Sequence, residues 1–171
     1  MTRRDLILKW LLYALGFLPI FALDLYVLPQ FPIFGIIPTL LPVAAITVAT
    51  LEGPVAGAGF GLFVGILSDA LIPGTPGSMT VGLAFLGLCA GAAARYGVRQ
   101  NMLGCLICSS GALALIALIR IFSHLLQGKA GLWPLLAVAV PEIFLSLIFL
   151  PLIYGIFYWI YQRVPKPSLI A

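Results

Sequence analysis

Charge is what this sequence most lacks. Nine Lys or Arg and five Asp or Glu make up 8% of the 171 residues, where a soluble domain carries about a quarter. With 63% of residues hydrophobic and a mean hydropathy of +1.19, a water-soluble globule, a disordered chain and a nucleic-acid-binding protein are excluded; the expected solvent is a lipid bilayer. Histidine is nearly missing too, with one in the chain. There is no H-E-x-x-H, no Walker A loop and no Ser-His-Asp set with a credible base, so no catalytic residue, metal or cofactor is expected. Cysteine is scarce: Cys105 and Cys108 form a C-x-x-C, but it opens an apolar helix without further ligands, which reads as small packing residues, and Cys89 stands alone.

What the chain does have is long apolar runs broken by Gly, Pro and charge. They predict an all-α polytopic membrane protein, a single integral domain over 1–171, with helices at about 10–28, 33–51, 54–72, 76–94, 102–126 and 134–161. At 1.5 Å per residue the first four reach about 28 Å, close to the hydrocarbon thickness. The last two are long enough to tilt, or to bend at Pro141 and Pro151. Glu52-Gly53-Pro54 reads either as a turn, giving six spans, or as a kink, giving five.

Basic residues set the orientation, because Lys and Arg stay cytoplasmic in short loops. With six spans, Arg3, Arg4, Lys9, Arg95, Arg99, Arg163 and Lys166 share one side and only Lys129 lies outside the helices on the other. Both termini are therefore expected in the cytoplasm. Trp10, Trp133, Tyr158 and Trp159 fall at window ends, as interfacial anchors do. The Arg3-Arg4 start also has the look of a twin-arginine export signal, but with five further spans behind it a basic flank is the ordinary topology signal.

Two features rise above hydropathy. The first is a glycine ladder, Gly53, Gly57, Gly61 and Gly65 with Gly59 beside it, answered by Gly87-x-x-x-Gly91. Spacing of four lays the rungs on one helix face, where another backbone can pack closely: the next helix of the same chain, or a partner's. The second is the set of charges inside apolar windows, Asp24, Asp69, Arg120 and Glu142. Counted from the outer ends of their windows, all four fall within about 12 Å of the outer surface. They are expected to converge in the outer half of the bundle, with Arg120 bridging carboxylates, above all Glu142, and with His124 within reach.

The run Gly59-Phe60-Gly61-Leu62-Phe63-Val64-Gly65-Ile66-Leu67-Ser68-Asp69, followed by Pro76-Gly77 and an Ala/Gly-rich helix, resembles the hallmark of the MreD family of bacterial rod shape-determining membrane proteins. Length, hydropathy layout and Pro38 near the start of span two agree with it. Thr39, where an acidic residue is expected, and the extra glycines of the ladder depart from it. The resemblance implies an S-component-like bundle in the bacterial cytoplasmic membrane and a non-enzymatic part in cell elongation. Its partners would be MreC and, through MreC, the MreB filaments, RodA and a class B penicillin-binding protein. Carried over by position, Gly59, Gly65, Asp69 and Gly77 are the residues expected to matter. The alternative class is a substrate-binding S-component of an energy-coupling-factor vitamin transporter, which would hold its ligand in the outer half of the bundle.

Overall fold

The computed structural model describes residues 3–30, 38–71, 77–96, 102–126 and 132–163. Among them the secondary structure is all helical: α1 (Arg3–Ala22), running on into a π-helical turn (Leu23–Val27), α2 (Leu40–Glu52), α3 (Pro54–Leu71), α4 (Ser78–Tyr96), α5 (Met102–Leu126) and α6 (Leu132–Arg163). Arg99, Lys129, Lys166 and Pro76 lie outside the described residues, as do the side chains of Arg3, Arg4 and His124.

The fold is organised around α2. Leu40 and every residue from Pro42 to Leu51 are buried, and α2 packs against each of the other five helices. Buried polar side chains on it satisfy themselves locally: Thr47 donates to the Val43 carbonyl at 2.7 Å and Thr50 to the Thr47 carbonyl at 2.9 Å. The Cys105 thiol donates to the Thr47 hydroxyl at 3.5 Å. Outward-facing residues of the surrounding helices are large and apolar, among them Leu11, Leu18, Val81, Phe85, Leu118 and Phe144. A core of small and β-branched residues wrapped in exposed Leu and Phe is the pattern that a bilayer permits and water does not.

Among the described residues four helices are long and apolar enough to cross a membrane: Ile7–Val27, Ser78–Arg95, Met102–Phe122 and Leu135–Arg163. The other two, Leu40–Glu52 and Pro54–Ala70, are shorter apolar helices. The expected second window, 33–51, is corrected at its start. Residues 33–37 lie outside the described residues, Thr39 is extended (φ −98°, ψ 105°), and the helix begins at Leu40. Its first backbone N–H groups find side-chain acceptors, so no earlier helical turn is needed, and Pro42 sits in the first turn, where a missing N–H costs nothing. α6 continues through both Pro141 and Pro151.

Glu52-Gly53-Pro54 is a reversal. Gly53 has φ +99°, a conformation that L side chains rarely adopt. A methyl group built on Gly57 would collide with Ala49, four residues on the other side of Gly53. In a straight helix residues eight apart stand about 12 Å apart, so α2 and α3 are antiparallel neighbours.

Candidate functional site

The glycine ladder builds the next hairpin. Steps of four down α3 meet steps of four up α4: Gly91 against Gly53 and Pro54, Gly87 against Gly57, the Leu83 carbonyl against Gly61, and Met79 with Thr80 against Gly65. Added Cβ atoms would meet backbone at 2.6 Å on both Gly57 (the Gly87 carbonyl) and Gly91 (Pro54). The two backbones therefore touch along the whole hairpin, and any side chain on these rungs would push them apart. Asp69 is the next rung after Gly65. Its carboxylate accepts from the Thr80 N–H at 2.9 Å, the Thr80 hydroxyl at 2.6 Å and the Met79 N–H at 3.3 Å. Those are orphan donors of the first turn of α4, so Asp69 acts as that helix's N-terminal cap. Gly77, at φ +75°, leads directly into α4.

Gly59 is different. It is exposed, and a Cβ there meets nothing within 4 Å. It lies in a stripe with Val55, Leu62, Phe63 and Ile66, all exposed and spaced as one face of a helix. The adjoining flank of α3 carries Phe60, which touches Phe63 and is buried against the rings of Trp10, Tyr13, Phe17 and Phe157 with centroids 5.7–6.5 Å away.

The expected meeting of all the intramembrane charges is corrected by this geometry. Asp69 belongs to the α3–α4 turn, whereas Asp24, Arg120 and Glu142 gather at the start of α2. Asp24, in the π-helical turn, accepts from the Leu40 N–H at 2.9 Å. Glu142, one residue past Pro141, accepts from Arg120 Nη1 with both oxygens, at 3.1 and 2.9 Å, and from the Thr39 hydroxyl at 3.3 Å. Ser146, one turn on, accepts from the Thr39 N–H at 3.1 Å and donates to the Glu142 carbonyl at 2.8 Å. Glu142 is the better shielded partner of the ion pair, with a side chain 12% exposed against 41% for Arg120. The carboxylates sit where the positive end of the α2 dipole favours them. Beside Thr39, Arg120 and Glu142 the cavity measures about 10 Å³, room for one water and for nothing larger.

A second polar group stands at the other end of α2, where sequence reasoning saw only rim charges. Glu52 accepts from Lys9 in a close ion pair, and from the Tyr13 hydroxyl at 2.7 Å. Both side chains of the pair are nearly buried, at 13% and 9% exposure. The signal was present: Lys9 and Tyr13 are four residues apart, so they share one face of α1. Thr39 and Ser146 were missed for a related reason, since neither is ionisable and only the fold brings them to Glu142.

Among the described residues no group of three or more His, Cys, Asp or Glu is placed to hold a metal ion. Comparison of the chain with protein families, with curated proteins and with solved structures finds no match.

Proposed function

We propose that this membrane protein is an MreD-like, non-enzymatic component of the bacterial elongation machinery. In this reading it crosses the cytoplasmic membrane six times with both termini inside and binds MreC, and through MreC acts on RodA, a class B penicillin-binding protein and MreB. The resemblance of Gly59–Asp69 and Gly77 to the family hallmark supports it, and so does the basic rim formed by Lys9, Arg95 and Arg163. The observation that carries a partner role is the division of labour within the hallmark. Gly65, Asp69 and Gly77 serve the α3–α4 hairpin, while Gly59 faces outward at the centre of an apolar stripe and has no contact of its own to make. A bare glycine in a lipid-facing stripe lets a second helix approach backbone to backbone. The cavity at the outer polar group, about 10 Å³, lends nothing to the vitamin-binding alternative.

The experiment is co-purification of the tagged protein with MreC from cells, for the parent and for Gly59→Trp. The new side chain enters open space, so the bundle should fold as before, whereas a bulky knob in a close helix contact costs about 1–3 kcal/mol, roughly a 5- to 150-fold loss of MreC affinity. Unchanged MreC recovery would remove α3 as the contact. Recovery of a transporter ATPase pair in place of MreC would replace the whole reading.

A further inference from the structure

A groove of about 600 Å³ runs between α1 and α6, lined by Leu12, Leu15, Gly16, Leu152, Gly155 and Trp159 among others. The two helices touch where Gly16 meets Ile160 most closely, with Ile156 and Phe157 at 3.6 and 3.9 Å from a built Cβ. Gly155 keeps the groove open, since a Cβ there would meet nothing within 4 Å. The side chains that line it are hydrocarbon apart from the tryptophan, and a cation stands beside that ring. Arg163, one turn past Trp159, lays its guanidinium 3.9 Å from the centroid of that ring. A guanidinium engaged by an aromatic face still has N–H groups to offer a phosphate. The ion pairs formed among the described residues, Lys9–Glu52 and Arg120–Glu142, leave Arg163 out.

We infer that this groove seats an acyl chain of an anionic phospholipid whose phosphate is held by Arg163. Apolar walls leading to one cation match an amphiphile with a negative head, and the charge sits one helical turn from the end of the apolar lining. Size favours a chain over a helix. Ten residues of helix form a cylinder about 10 Å across and 15 Å long, roughly 1,200 Å³, which would stand half out of the groove, whereas a file of methylenes lies within it. This inference needs only that the protein is embedded in lipid and does not depend on the proposed role in cell elongation.

The test is native mass spectrometry of the detergent-purified protein titrated with phosphatidylglycerol or phosphatidylcholine of the same chain length. The parent should retain one phosphatidylglycerol about fivefold more strongly than phosphatidylcholine, the increment expected from one basic residue at a lipid headgroup. Arg163→Gln should bring the two lipids level. Gly155→Phe should fill the groove and release both, with the thermal unfolding midpoint unchanged because the ring enters empty space. Equal retention of the two lipids by the parent would overturn the inference, as would lipid retained undiminished by Gly155→Phe. So would a bound polypeptide that Gly155→Phe displaces, which would make the groove a helix-docking site.

Discussion

The two ends of α2 each hold carboxylates in low-dielectric surroundings, but the helix treats them in opposite ways. At the start, Asp24 accepts from the Leu40 N–H and Glu142 from the Thr39 hydroxyl. The unpaired N–H groups and positive dipole end of α2 favour both acids before any cation is counted. At the finish, Glu52 is the last residue of α2 and faces the negative end, so its charge opposes the dipole and depends on Lys9 and Tyr13. Burial sharpens the contrast: Lys9 is 13% exposed, while Arg120 is 41% exposed. The lesson is that a buried acid's need for a cation depends on which end of a helix it meets.

Three single substitutions and one double variant test that contrast. Lys9→Met should have the largest effect, about 3–5 kcal/mol off unfolding in a detergent titration, because it leaves a buried charge unpaired at the unfavourable end. Adding Glu52→Gln to the same chain should return most of the loss. Next comes Arg120→Leu, at about 1–3 kcal/mol, since Glu142 keeps the Thr39 hydroxyl and the dipole. If it matched Lys9→Met in the same titration, the two ends would be equivalent and the dipole argument would fail. Asp24→Asn should cost least, about 0.5–1 kcal/mol, because the amide oxygen still accepts from the Leu40 N–H and only the charge–dipole attraction goes. Its accumulation in membranes should stay near the parent level and above that of Arg120→Leu; a larger loss than either cation variant would show that capping, and not ion pairing, holds α2 in place.

Much of the architecture was legible in the sequence, because hydropathy and Gly/Pro punctuation act locally. The windows at 102–126 and 134–161 differ by at most two residues from α5 and α6. The start of α2 was not legible: what ends the helix at Leu40 is a set of acceptors supplied by Asp24 and Ser146 from other helices, which no local pattern encodes. Nor does depth along a span decide which charges meet. Asp24 and Asp69 both lie within three residues of their helix ends, yet Asp24 turns to α2 and Asp69 to α4, because Asp69 continues the Gly57-Gly61-Gly65 face. In the sequence Lys9 counts toward the basic rim and Glu52 toward a turn, and neither role calls for a partner. Ion pairing there became visible only once the turn at Gly53 set the end of α2 beside α1.

The complete enclosure of α2 also has a consequence in time. A helix walled on all sides by its own chain gains its surroundings only as they are made. The Thr39–Glu142 bond joins residues 103 apart in sequence. At about 5–20 residues per second of synthesis, the partner arrives roughly 5–20 s after Thr39 itself. Through that interval the hairpins α2–α3 and α3–α4 can close on their glycines and Asp24 can already meet the Leu40 N–H, while Thr39 waits in the membrane with its own N–H and hydroxyl unanswered. During biogenesis that end is the natural point for an insertase or assembly factor to shelter, and for quality control to inspect.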